Sequence, residues 1–162
     1  MKLFHGTNIV IEAPRIIIPS RALDFGAGFY LTSDQKQAER WSRLVVLRTG
    51  NGTPIIHEYQ FNLENLEKLQ VMRFVTVSKE WLDFVCDHRL EIYEGENYDL
   101  IIGPVANDRT MQVVQAYMNA SDRSLYLPVA LHDIKPERLS DQYVFKSERA
   151  LETLELKNVR QL

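Results

Sequence analysis

A single cysteine, Cys86, stands in the 162 residues, so no intramolecular disulfide and no cysteine-rich zinc centre can hold the fold. Seven glycines and six prolines are spread thinly, leaving no Gly/Ser-rich linker, low-complexity tract or internal repeat to mark a domain boundary. Apolar runs such as Ile16–Ile18 and Leu44–Leu47 are far shorter than the roughly 18–20 residues of a bilayer-spanning helix. Charge of one sign is not in excess either. Nineteen basic against twenty-two acidic residues leave −3, which offers no global positive field to nucleic acid or an anionic membrane. Local patches such as Arg40, Arg43 and Arg48 stay compatible with a polyanionic target. The opening Met-Lys-Leu-Phe-His-Gly turns polar too soon for the apolar core of a signal peptide, so a cytoplasmic protein is expected. With no staple, stability rests on a hydrophobic core. At 45% apolar, 25% charged and 10% aromatic, the composition suits one domain spanning residues 1–162.

The pattern of the chain predicts mixed elements. Lys2 to Phe4 reads as a strand entering the His5-Gly6 turn, and Gly28 to Thr32 as another. Ser33 or Asp34 caps a helix to about Arg48, with Ala38, Trp41, Leu44 and Val45 on one face and Gly50-Asn51-Gly52 ending it. Pro54 to Phe61 alternates as a strand, and Leu69 to Val77 is β-rich. Ser78 caps a helix from Lys79 to about Arg89, with Trp81, Leu82, Val85 and Cys86 at helical spacing. Tyr98 to Gly103 reads as a buried strand, stopping at Pro104 before a helix that opens near Asn107-Asp108 and runs to about Met118. A helix within Ser124–Ile134, a strand at Gln142–Phe145, a short helical piece at Glu148–Leu151 and a strand near Leu154–Val159 complete the chain. Without strict βαβ alternation, this is an α+β fold on a largely antiparallel sheet.

Familiar catalytic spacings are missing. There is no phosphate loop ending in Gly-Lys-Ser/Thr, no His-Glu-x-x-His and no Gly-x-Ser-x-Gly, and the four histidines are scattered, so no metal site is expected. Cys86 and His88 lie two apart on a helix and do not share a face. Gly26-Ala27-Gly28 precedes a strand instead of following one, unlike a dinucleotide fingerprint.

What remains are polar and aromatic residues at strand ends: His5-Gly6-Thr7, the run Asp24-Phe25-Gly26-Ala27-Gly28-Phe29-Tyr30-Leu31-Thr32, and Asp141-Gln142-Tyr143-Val144-Phe145. In this order they resemble the ADP-ribosyltransferase fold, in its diphtheria-toxin and poly-ADP-ribose-polymerase branch with a His-Tyr-Glu triad. The Asp24–Thr32 run, with Ile102-Gly103-Pro104-Val105-Ala106-Asn107-Asp108-Arg109, is also similar to a bacterial group of small, toxin-like single-domain proteins. The resemblance covers Leu3 to about Leu151. It implies two packed, mainly antiparallel sheets with flanking helices and NAD+ bound between them as a consumed substrate. It further implies a cytoplasmic mono-ADP-ribosyltransferase that releases nicotinamide and modifies a protein or nucleic acid, in the manner of an effector or of the toxin in a toxin–antitoxin pair with an antitoxin partner.

By that resemblance His5 bonds a ribose hydroxyl, Gly6 holds the nicotinamide carboxamide through its backbone, and Tyr30 stacks on the ring. Trp41, eleven positions later, closes the other face; a planar cation is well matched to two aromatic faces. Thr7 and Phe25 are expected as neighbours, and Arg21 as a contact for phosphate or target. Gln142 falls where the branch carries its glutamate. It can accept the same hydrogen bond through its amide oxygen, but it has no charge and cannot act as a base. The triad is therefore His5, Tyr30 and Gln142, and three accounts of the missing carboxylate stay open. The acceptor brings its own base; Glu148 or Asp108, the latter beside Arg109, reaches the site; or the protein binds NAD+ or ADP-ribose without catalysis. NAD+ glycohydrolysis is the alternative reaction.

Overall fold

The computed structural model describes residues 1–18, 22–106, 108–134 and 139–162. Its strands form two sheets. β1 (Lys2–Thr7), β3 (Ile55–Phe61) and β7 (Leu154–Gln161) make one, in the order β1-β3-β7 and antiparallel throughout. β2 (Phe29–Leu31), β6 (Asp141–Phe145), β5 (Leu100–Pro104) and β4 (Val71–Arg73) make the other, in the order β2-β6-β5-β4. Among the described strands, only β4 and β5 run parallel. A two-bond bridge joins the edges of the two sheets. Phe4 N–H donates to the Thr32 carbonyl at 2.8 Å, and Thr32 N–H returns a bond to the Phe4 carbonyl at 3.0 Å.

The sheets pack through one apolar cluster. Leu3, Tyr59 and Phe61 of the first sheet meet Phe29, Leu31, Leu100, Ile102, Tyr143 and Phe145 of the second. The edge-to-face pairs Phe29–Tyr59 at 5.7 Å and Phe61–Phe145 at 5.5 Å mark the seam. Because strand side chains alternate, the opposite faces are left for helices. α1 (Gln35–Thr49) covers the first sheet, and α2 (Lys79–Arg89), α3 (Asp108–Asn119) and α4 (Arg123–Asp133) cover the second. A short α5 (Glu148–Leu151) precedes β7. The α+β reading with two mainly antiparallel sheets holds. Among the described residues, no helix is long and apolar enough to cross a membrane.

Local chemistry explains the element ends. The Asp34 carboxylate, not Ser33, caps α1 by accepting from Gln37 N–H at 3.2 Å, and Gly50 closes it at φ +64°. Ser78 caps α2 through Trp81 N–H. The β-rich expectation at Leu69–Val77 shrinks to β4, since Phe74 N–H makes the last bond to β5, at the Ile102 carbonyl, before the chain turns toward Ser78. A 3-10 helix at Leu63–Lys68, capped by Asn62, carries no apolar period that announces it.

α1 lies close on β1 for a specific reason. A Cβ on Gly6 would stand 2.1 Å from the Ala38 carbonyl oxygen, and both α1 residues buried against the sheet, Ala38 and Ser42, are small. Three small residues at one crossing bring helix and strand backbones together and set Trp41 beside the strand edge.

Candidate functional site

A cavity of about 390 Å³ opens where α1, the edge of β1, β2 and the start of β6 meet. That size lies within the range of small-molecule pockets. His5, Gly6, Tyr30, Trp41 and Gln142 all line it, joined by Asp24, Arg48 and Arg89.

His5 points between the sheets and stacks on Phe29 at 4.5 Å. Its Nδ1 lies 2.7 Å from the Tyr30 carbonyl, an acceptor, so Nδ1 carries the proton and Nε2 is left as an open acceptor. Burial, reinforced by the neighbouring His57, holds the imidazole at about 4 despite that bond, so the ring is neutral at pH 7. Gly6 offers its backbone. Phe4 spends its N–H and C=O on Thr32, and by the two-residue period of a strand Gly6 presents its own along the same free edge.

Tyr30 and Gln142 face the opposite side of the second sheet from His5. The Tyr30 phenol is anchored, donating to the Gly26 carbonyl at 2.7 Å and accepting from Phe25 N–H at 3.2 Å. Burial, with the Asp24 charge adding to it, pushes its ionisation up beyond any physiological pH. Its hydroxyl holds the turn, and its ring is the part that meets the cavity. Trp41 is 41% exposed, with the Arg48 guanidinium 5.3 Å from its ring centre. Arg48 has no ion-pair partner among the described residues.

Among the described residues, the carboxylate that lines the cavity is Asp24, which sequence reasoning did not single out. It is buried and accepts from Arg89 through Nε at 2.8 Å and through Nη2, and from Ala106 N–H at 3.1 Å. Gln142, 4% exposed, turns its Nε2 toward the Pro104 carbonyl at 3.1 Å and toward Asp24 at 3.5 Å. With the amide nitrogen facing two acceptors, Oε1 faces away from them, and none of the described residues donates to it. The only sequence signal for Asp24 was its place at the head of the Asp24–Thr32 run.

The structure gives most of that run a local role. Gly26 takes φ +73° in the turn, and a Cβ there would stand 2.8 Å from the His88 ring. Gly28 bridges to Ile17, where a Cβ would strike Val144 at 2.5 Å. Lys146 donates to the Phe25 carbonyl.

Several expected contacts fall elsewhere. Phe25 is fully buried and packs on Phe74 at 5.9 Å and Phe84 at 5.7 Å, because its ring points into the α2–α4 core and not into the cavity. Thr7 lies one residue past the lined part of β1 and is not among the cavity walls. Glu148 is exposed on α5, beyond the far end of β6 from Gln142, and does not reach the cavity. Arg21 lies outside the described residues, as do the side chains of Asp108 and Arg109, whose backbone opens α3. No group of three or more His, Cys, Asp or Glu among the described residues is placed to hold a metal ion.

These features define a class: an α+β protein with two mainly antiparallel sheets and a part-aromatic, part-polar cavity at the bridge between them. The chain belongs to the DUF3990 family, described as a protein of unknown function, whose model matches residues 1–156. No curated protein and no solved structure matches it.

Proposed function

We propose that the protein cleaves the nicotinamide–ribose bond of NAD+ and transfers ADP-ribose to a macromolecular acceptor. The observation that carries this reading is convergence: His5, Gly6, Tyr30, Trp41 and Gln142, drawn from four elements and up to 137 positions apart, line one cavity. The wall chemistry supports it. Trp41 and Tyr30 offer aromatic faces to a pyridinium cation. The free edge at Gly6 offers a donor and an acceptor to a carboxamide, and the unpaired Arg48 suits a pyrophosphate. His5 Nε2 and Gln142 Oε1 are open acceptors for ribose hydroxyls.

The reaction balances with these groups alone. The C1′–N bond breaks with its electron pair leaving on nicotinamide, which departs neutral. The acceptor's nucleophile bonds C1′ and gives up a proton. Cleavage builds positive charge on the ribose, which an acceptor holding the 2′-hydroxyl stabilises. Gln142 takes no proton, so the nucleophile's proton leaves to a base of its own or to water. Water in place of the acceptor makes the same step a glycohydrolysis.

The test is nicotinamide release from NAD+ labelled in its adenylate half, with purified protein alone and with cell lysate, followed by protease or nuclease digestion of labelled material. Release with label on a macromolecule supports transfer and names the target class. Release as free ADP-ribose only points to glycohydrolysis. No release in either condition refutes the reading.

A further inference from the structure

Three distant segments meet on one carboxylate. Asp24 heads the turn before β2, Ala106 follows β5, and Gln142 is the second residue of β6; Arg89, at the end of α2, closes the group from behind. The amide of Gln142 has two orientations. In the observed one its two N–H groups face the Pro104 carbonyl and the Asp24 carboxylate. The flipped one sets Oε1 against both, losing the bonds and adding lone-pair repulsion. Trp81 Nε1 also donates to the Pro104 carbonyl, at 3.1 Å, so that oxygen is fully used and fixed in place.

We infer that Asp24 is the positioning residue of this site: it holds the Gln142 amide with Oε1 toward the cavity, and it is the reason position 142 carries an amide and not a carboxylate. The inference rests on the proposed NAD+ reading for its kinetic arm only. A glutamate at 142 would face the Asp24 carboxylate and the Pro104 carbonyl with no donor between them, and like charges at such a separation cannot both ionise comfortably in a buried site. The negative charge of the site stands on the turn before β2. Arg89 balances it there, and Gln142 relays it to the cavity as an oriented amide dipole. Adding a carboxylate at 142 therefore restores nothing while Asp24 keeps its own.

Four proteins test this: wild type, Asp24→Asn, Gln142→Glu, and the double variant, which relocates the carboxylate at constant net charge. In the kinetic arm, nicotinamide release from NAD+ is measured. Asp24→Asn frees the amide to flip and lowers kcat by about 10- to 100-fold, with KM within about threefold. Gln142→Glu alone loses at least as much. The double variant recovers at least about tenfold over Gln142→Glu, because the amide introduced at position 24 donates to the carboxylate introduced at position 142. Higher turnover in Gln142→Glu with Asp24 intact, or no recovery in the double variant, overturns the inference.

The second arm needs no turnover. Gln142→Glu lowers Tm by about 5–10 °C, and Asp24→Asn in the same chain returns most of it. Additive Tm shifts overturn the coupling even in a protein that cleaves NAD+. Coupled shifts without cleavage keep it and reject only the reaction. Should Asp24→Asn fail to fold, Gln142→Leu replaces it: the leucine variant must melt above the glutamate variant, and the reverse order overturns the inference.

Discussion

Replacing Gly6 with alanine adds one methyl group at the tightest point between β1 and α1. The new Cβ would lie 2.1 Å from the Ala38 carbonyl oxygen, 3.0 Å from the Ala38 carbonyl carbon and 3.1 Å from the Ser42 nitrogen, whereas ordinary contact begins at 3.4 Å. All three neighbours are helix backbone, so no rotamer change relieves the clash, and helix and strand must separate. Overpacking of this kind costs about 1–3 kcal/mol, and an unyielding carbonyl puts Gly6→Ala near the top of that range. For a chain of this size about 3 kcal/mol lowers Tm by roughly 6–12 °C. Gly50→Ala is the control: it meets nothing within 4 Å and bears only the strain of φ +64°, about 1 kcal/mol or roughly 2–4 °C. Thermal unfolding by circular dichroism without ligand reads both. A purely ligand-binding glycine would leave the unliganded Tm unchanged, so a Gly6→Ala protein melting no lower than Gly50→Ala refutes the packing argument. Trp41, one turn along α1 from Ala38, should move with the helix, so on the proposed NAD+ reading the same variant is expected to weaken NAD+ binding.

On the proposed NAD+ reading, Trp41→Ala, at a half-exposed ring, should leave Tm within about 2 °C and raise KM for NAD+ by about tenfold; a large Tm loss with unchanged KM contradicts a binding role for the ring. Tyr30→Phe removes the anchor of the Gly26 carbonyl and should cost about 1–2 kcal/mol in denaturant unfolding. Tyr59→Phe should cost nothing or stabilise, because the Tyr59 hydroxyl is buried without a partner, and a clear loss there means a bond is being made. For His5 the folded value of about 4 lies below the ordinary histidine value of 6.5. The unfolded chain therefore binds the proton first, and stability present above about pH 6.5 is lost as pH falls toward 4, by at most about 3 kcal/mol. His57, also lowered by burial, adds in the same direction. Urea unfolding between pH 4 and 7 should show a shallower slope for His5→Gln, and an unchanged slope removes His5 as a cause.

Local chemistry is written in consecutive residues and is legible in the sequence. A cap at Ser33 or Asp34 and a stop at Gly50 bound α1, Ser78 starts α2, and the alternation of Ile55–Phe61 makes β3, because caps and periodicities act over a few residues and need no distant partner. His5, Tyr30, Trp41 and Gln142 were singled out through a resemblance carried by short motifs, and the fold places all four along one cavity. Tertiary structure alone decided how the chain's remote parts meet. Phe25 sits beside candidate site residues in the sequence, yet its ring is drawn to Phe74 and Phe84. Gly6 is required by the Ala38 carbonyl, 32 positions away in the chain, and no window around Gly6 contains that constraint. Asp24 stood in the sequence only as the head of the Asp24–Thr32 run; its partners Arg89, Ala106 and Gln142 stand 65, 82 and 118 positions further on. A buried charge is defined by whatever closes around it, and only the folded chain brings those groups together.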